Sequence, residues 1–332
     1  MFLFSMLLVQ NQSSRLSEPR RFSKAALAVF VLGASSLVLL LVTALPAFFL
    51  GIWAIRTINR SEGRLRGQGL VLAGLALSAL TTAATILGLI GMVLLYVQEK
   101  NHVASCANNL RQIGAAIYQY SDHDDHHYFP PGTVRNPALK PSQRLSWEAA
   151  ILPFFPEGGT AGRNTSKQWE KLVGAIAFQK AWNAPANAGL RRTVTSFLCP
   201  TFAHEFTQGQ VGLTSYVGIA GVGEDAAILL HGDANAGFFG YDRLLGASDI
   251  SARLDATMTA IETMQDNGPW PAGGLPTVRG VLRDSDRCIG RDAAFGGLHR
   301  GGANVLWADG SVRFLTDKID PTLFREEARI KR

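Results

Sequence analysis

Gly69 to Tyr120 reads GLVLAGLALSALTTAATILGLIGMVLLYVQEKNHVASCANNLRQIGAAIYQY, and its two halves follow different rules. From Gln68 to Val97 no side chain is charged, and about 20 apolar residues suffice to cross the hydrocarbon core of a bilayer. The first half therefore reads as a membrane span. After the polar break at Gln98, Glu99, Lys100, Asn101 and His102, the apolar positions are Val103, Cys106, Leu110, Ile113, Ile117 and Tyr120. That spacing draws a stripe on one face of a helix. No proline interrupts the stretch before Pro130. The membrane helix is thus expected to continue as the spine of a soluble domain, with everything after Tyr120 folding against the stripe.

Towards the N-terminus, residues 1–24 form a tail, and Ala25 to Ile55 is a second uncharged run, broken by Pro46. A span from about Ala25 to Ala44, followed by a short interfacial turn, is the natural reading. Arg56 to Gln68 is a short basic linker, which the positive-inside rule places in the cytoplasm. Residues 25–98 then make a transmembrane helical hairpin, with the domain after it outside. The segment before Ala25, equally basic, would lie outside as well. The small residues Gly74 and Ser78 suit close packing of the two helices.

The chain carries 32 Lys and Arg against 26 Asp and Glu, a net charge of +6. Eight of those cations and two of the acids fall before residue 99, leaving 24 of each sign in the remaining 234 residues. The basicity belongs to membrane orientation, and the neutral remainder lacks the electrostatic footprint of a nucleic-acid-binding domain. No nucleic-acid partner is expected.

Beyond the spine, Ser121 to Gly132 (SDHDDHHYFPPG) is a polar turn. SWEAAILPFF (146–155) suits a short helix ending at Pro153, and Trp169 to Trp182 has helical spacing. Thr193 to Leu198, Ser215 to Ile219 and Gly237 to Phe239 read as strands. Residues 251–263 are open between a strand pair and a helix. Asn267 to Gly280, rich in Gly and Pro, is loop. Ala303 to Leu315 gives the strongest β signal, around Asp309 and Gly310.

Groups that carry chemistry are few. Asp122, His123, Asp124, Asp125, His126 and His127 combine carboxylates and imidazoles, both good metal ligands. Adjacent turn residues cannot all converge, and the spacing matches neither an EF-hand nor a zinc signature. A solvated turn is the better reading. His299 stands in a Gly-flanked loop with no G-x-S-x-G or H-E-x-x-H pattern in the chain. It reads as a structural histidine bonding a loop carbonyl, and Asp286 and Asp292, upstream of it, as solvent-facing. Cys106, Cys199 and Cys288 lack C-x-x-C spacing. Cys106 lies on the stripe and Cys199 ends a predicted strand expected to cover it, so Cys106–Cys199 is the candidate disulfide; three free buried thiols is the alternative. No catalytic residue, metal or cofactor is assigned.

The stretches CANNLRQIGAAIYQY, FPPG, SWEAAILPFF, AWNAPANAGLRR, FLCP, TSYVGIAG, DNGPWPAGG and FGGLHRGGANVLWADGSVRFL occur in this order. Over about residues 99–326 they resemble a large bacterial pilin-like family of unknown function marked by H-x9-D-G, here His299, Asp309 and Gly310. Residues 25–97, with INRSEGRLRGQGLVLAGLALS at their centre, resemble a small two-helix membrane domain of unknown function. Members of the pilin-like family begin with a prepilin leader and carry a Glu in the membrane helix. That pattern is not found here, so the two-helix module is expected to stand in for the pilin anchor.

The fold expected is α+β: a transmembrane hairpin whose second helix becomes the spine of a pilin-like domain with an antiparallel sheet. Asp309 and Gly310 are expected as the centre of a type I′ turn, pairing Trp307 with Val312, Leu306 with Arg313 and Val305 with Phe314. The function expected is that of a membrane-anchored, non-enzymatic envelope protein of the bacterial cell membrane, contacting the bilayer, other envelope proteins or surface polymers. The alternative is an extracytoplasmic glycan-binding or glycan-hydrolysing domain, suggested by Trp147, Trp169, Trp182 and Trp270 in loop-rich context.

Overall fold

The computed structural model describes residues 48–60, 67–155, 166–206 and 212–331. The chain divides into two compact units, Met1–Tyr96 and Val97–Arg332. The tail 1–24 and the span Ala25 to Ala44 lie outside the described residues. Residues 48–60 form a helix, α1, where a short turn and the start of a linker were expected. No proline or glycine after Gly51 opposes helix there. A Cβ on Gly51 would stand 2.6 Å from Leu75 Cδ2, so α1 and the helix that follows approach closely at that glycine. The packing expected at Gly74 and Ser78 involves the span Ala25 to Ala44 and lies outside the described residues.

Helix α2, Gln68–His123, is 56 residues long and is, among the described residues, the one helix long and apolar enough to cross a membrane. Its first part leaves Leu70, Leu80, Leu87, Met92 and Leu95 exposed. Its second part buries Cys106, Leu110, Ile113 and Ile117, the alternating steps of four and three that keep side chains on one helical face. Val103 and Tyr120, at the two ends of the expected stripe, are half-buried.

The unit Val97–Arg332 is mixed α+β. Its strands are β1 (Tyr216–Val222), β2 (Met258–Glu262), β3 (Val278–Val281), β4 (Gly302–Trp307) and β5 (Val312–Thr316). They form one sheet in the order β3-β1-β2-β4-β5. The β1–β3 pair is parallel and the others antiparallel, so the sheet is mixed where an antiparallel one was expected. Tyr216, Ala220, Ala260 and Leu306 face the spine with Leu110, Ile113, Trp147, Phe239 and Trp270. Val217, Ile219, Ile261, Val305 and Trp307 face away, against Ile289, Phe295 and Phe324. With both faces covered, the inner strands are buried along their whole length and read as largely apolar instead of alternating.

Around the sheet, α3 (Trp147–Ile151) is capped by Ser146, whose hydroxyl accepts from the Ala149 N–H, and passes into a 3-10 turn at Leu152–Phe154. Helix α4 covers Ser166–Gly174 and stops well short of Trp182. Helix α5 is Pro200–Phe206 and α6 is Pro321–Glu327.

Several expected elements differ. Thr193 to Leu198 contains a 3-10 turn at Thr195–Phe197, because the Phe197 ring sinks between Phe155 and Trp270 and packing overrides β propensity. Gly237 and Phe239 donate to the Ala220 and Ile219 carbonyls of β1 without forming a strand. Residues 251–263 hold a 3-10 turn at Leu254–Ala256 and then β2, and the end of the expected loop 267–280 begins β3.

The hairpin is present with its register shifted by one residue. Leu306 pairs with Val312, Val305 with Arg313 and Asn304 with Phe314. Asp309 is not among the positive-φ residues, and Gly310 has φ +82°. The Gly310 N–H donates to Trp307 O, and the Trp307 N–H to Ser311 O. This is a three-residue loop, a type I turn followed by a left-handed glycine, and not a type I′ turn. Asp309 Oδ1 caps it by accepting from the Ser311 N–H. Ala308 explains the shift: its N–H donates to Thr257 O, so it belongs to the sheet's neighbour and cannot pair with Ser311. Arg313 then lies over the Trp307 ring, 3.7 Å from its centroid, where Phe314 was expected on that face.

Candidate functional site

Four separate segments deliver polar side chains to one buried point beside the spine. Helix α2 contributes Glu99 and, two turns on, Cys106. Cys199 precedes α5; its N–H donates to Ser215 Oγ, and its carbonyl accepts from the Ala203 N–H. Glu262 ends β2, and His299 stands in the loop that turns into β4. Cys106, Cys199 and Glu262 have no exposed surface, and His299 is 5% exposed.

The Cys106 and Cys199 Sγ atoms are 2.7 Å apart, across 93 residues of chain. His299 Nε2 lies 3.6 Å from Cys199 Sγ and 3.5 Å from Glu262 Oε1, while its Nδ1 lies 3.4 Å from Glu99 Oε1. Glu262 is fixed from behind by Asn304, whose N–H donates to Oε2 at 2.6 Å and whose Nδ2 donates to Oε1 at 2.8 Å. The same Asn304 amide also reaches Val103 O on the spine.

The charges follow from this packing. Burial alone would lower the His299 imidazole, but the Cys199 sulfur and the Glu262 carboxylate outweigh it and hold the group up at about 10. The Cys106 thiol donates to Cys199, and with His299 and the Phe202 N–H it overcomes burial to bring Cys199 down to about 4. Cys106 is pushed up, because it is the donor, because it is buried and because Glu262 is near. His299 stands beside Cys199, so of the two thiols Cys199 is the one held toward the thiolate and Cys106 the one held toward the thiol. A cleft of about 460 Å³, lined by Glu99, Thr201, Met264, His299, Arg300 and Asp317 among others, opens beside His299.

His299 thus differs from its expected role: it meets a sulfur and two carboxylates instead of a loop carbonyl. Cys106 and Cys199 are brought together, although Cys199 follows a 3-10 turn and not a strand. Asp309 and Gly310 are remote from the cluster in role, closing the hairpin that carries Asn304. Asp286 and Asp292 are exposed. Cys288 is buried in the other core, with Ile289 and Phe295. In the turn 122–127 the groups serve local backbone: Asp124 Oδ1 accepts from the N–H groups of His126 and Tyr128, and His123 Nδ1 contacts Gln119 O.

Glu262, Asn304 and Glu99 escaped sequence reading. One signal was available for the first two: an ionised type closing the apolar run MTAIE, and an amide inside GANVLW, are buried polar groups that demand partners. Of the four tryptophans that suggest a glycan site, Trp169 is buried and Trp182 half-buried. Trp147 and Trp270 are fully buried, their indole N–H groups donating to Thr277 O and Arg192 O.

With the cluster and the sheet in place, the chain can be set beside known proteins. The sequence pattern of a family described as protein of unknown function (DUF1559) matches residues 103–251 and 222–322. The chain belongs to that family. In this DUF1559 member the matched span includes Cys106, Cys199, Glu262, His299 and Asn304, and begins after the apolar part of α2. No curated protein and no solved structure matches the chain.

Proposed function

We propose that this DUF1559 protein is a membrane-anchored, non-enzymatic envelope protein. In this reading residues 25–98 form a two-helix hairpin, and a pilin-like domain projects on the extracytoplasmic side to contact other envelope proteins or surface polymers. What carries the reading is the dual character of α2. Its uncharged first part exposes leucines and Met92, as a helix solvated by lipid tails would. Its second part supplies the buried stripe of an α+β domain. The resemblance of residues 99–326 to H-x9-D-G pilin-like proteins supports the same geometry.

A second aromatic feature bears on the partner. A cleft of about 710 Å³ is lined by Tyr120, Tyr128, Phe154, Phe178, Asp124 and Arg135 among others, and Phe178 is 36% exposed. Rings beside one carboxylate and one guanidinium suit a polar polymer with apolar faces, so this cleft is a second place, beside the half-buried Trp182, where the glycan-binding alternative finds aromatic surface. The test of topology is a pair of reporter fusions at Gly63 and Gly132. Phosphatase activity at Gly132 and fluorescence of a cytoplasmic reporter at Gly63 are expected; phosphatase activity at Gly63 but not at Gly132 refutes the arrangement.

A further inference from the structure

We propose that Cys106 and Cys199 close a disulfide bond that fastens the domain to its spine, with His299, held by Glu262, as the positioning residue that keeps Cys199 the attacking sulfur. The two sulfurs touch at 2.7 Å inside a fully buried site, and Cys288 lies in a different core. Cys106, Cys199 and His299 are also a donor set for a thiophilic metal. A tetrahedral zinc with bonds of about 2.3 Å would, however, hold two sulfurs about 3.7 Å apart. The observed approach favours the covalent bond.

The chemistry requires an oxidant, taken here as a disulfide of glutathione or of a thiol oxidoreductase. The Cys199 thiolate attacks one partner sulfur; the S–S bond of the partner breaks, and its departing thiolate takes the proton from the His299 imidazolium. Neutral His299 then receives the proton of Cys106. The Cys106 thiolate attacks Cys199 Sγ, expelling the second partner sulfur, which leaves as a thiol with that proton. Two electrons pass from the cysteine pair to the partner, which is reduced to two thiols. The placement of His299 Nε2 3.6 Å from Cys199 Sγ supports this order of attack, and the lowering of the Cys199 thiol agrees with it. Neither sulfur has exposed surface in the closed chain, so the oxidant reaches Cys199 when the site opens locally, and reclosure seals the bond once it has formed.

The inference goes beyond the membrane reading and depends on residues alone, so it is tested on the purified full chain in detergent, where location plays no part. Oxidation with glutathione disulfide, alkylation and peptide mapping without reduction should link the peptides of Cys106 and Cys199 and leave Cys288 alkylated. The melting temperature of the oxidised chain should exceed that of the reduced chain by on the order of 10 °C. Finding both cysteines alkylated after oxidation, or finding that the reduced chain holds stoichiometric zinc and never forms the bond, overturns the proposal.

The part of His299 is read from the pH profile of Cys199 alkylation in a Cys106→Ala background. His299→Gln should move the midpoint upward by a pH unit or more and slow alkylation at pH 6 at least tenfold. An unchanged profile removes His299 from the mechanism. Should that variant fail to fold, Glu262→Gln is measured instead; it should move the midpoint in the same direction by less, and a downward or absent shift counts against the assignment.

Discussion

Gly310 offers the sharpest test of how the hairpin is built. Its φ of +82° is left-handed, a conformation that costs a residue with a Cβ about 1–2 kcal/mol. Space is not limiting there: an added Cβ would lie 3.5 Å from Tyr118 Cε2, an ordinary contact. Gly310→Ala therefore isolates the backbone term. Gly221 is the contrasting case, because φ is +118° and an added Cβ would fall 2.0 Å from Asn235 O and 2.5 Å from Gly237 N. Two backbone segments would have to part, and the cost should rise to roughly 3 kcal/mol or more. For a domain of 150–250 residues each kcal/mol lowers Tm by about 2–4 °C. Gly310→Ala should therefore melt about 2–8 °C below the parent chain, and Gly221→Ala should melt lower still or not accumulate folded. Gly301, left-handed at φ +79° with nothing within 4 Å, serves as the control and should match Gly310. The assay is thermal unfolding of the full chain in detergent, followed by tryptophan fluorescence, since Trp147, Trp270 and Trp307 are all fully buried. A Gly310→Ala protein that melts with the parent, while Gly301→Ala does not, would refute the left-handed loop and the register that depends on it.

Two further side chains give independent tests. Glu148 is completely buried and its carboxyl is pushed well above the usual range by burial, only partly offset by the Thr214 hydroxyl that donates to it. With the folded value raised, stability is full below the unfolded pKa near 4.3 and falls as pH rises, at about 1.4 kcal/mol per pH unit until the folded value is reached. Glu148→Gln should flatten that slope, so that urea midpoints of variant and parent diverge from pH 5 to pH 7 in favour of the variant; parallel curves would sink the idea. Arg243 is 5% exposed, and its guanidinium donates to the carbonyls of Ala220, Ala226, Leu229, Gly237 and Phe239. Arg243→Met should strand these buried acceptors at a cost of about 3 kcal/mol or more, visible as a drop in Tm of at least about 6 °C, with Arg243→Lys in between; a Met variant as stable as the parent contradicts that role.

Periodicity and local chemistry determined what they physically encode. The four-and-three steps from Cys106 to Ile117 are enough to specify one buried helical face, and an uncharged run from Gln68 to Val97 is enough to specify a helix fit for lipid, because both depend only on residues a few positions apart. The same holds for the existence of β1 and of the last hairpin. The register of that hairpin was another matter. It turns on Ala308, whose N–H is claimed by Thr257 O about fifty residues upstream, and no local pattern records that bond. Thr195–Phe197 failed as a strand for a similar reason, since the destination of the Phe197 ring among Phe155 and Trp270 outweighs the β propensity of its neighbours. The polar cluster was least legible of all. Cys106 was visible on the stripe, but the carboxylates that surround His299 come from Glu99 and Glu262, and the amide that orients Glu262 spans 201 residues to touch Val103. Sequence fixes which groups must find partners when buried; only the folded chain, by deciding which segments meet, assigns a histidine to a thiolate rather than to a carbonyl.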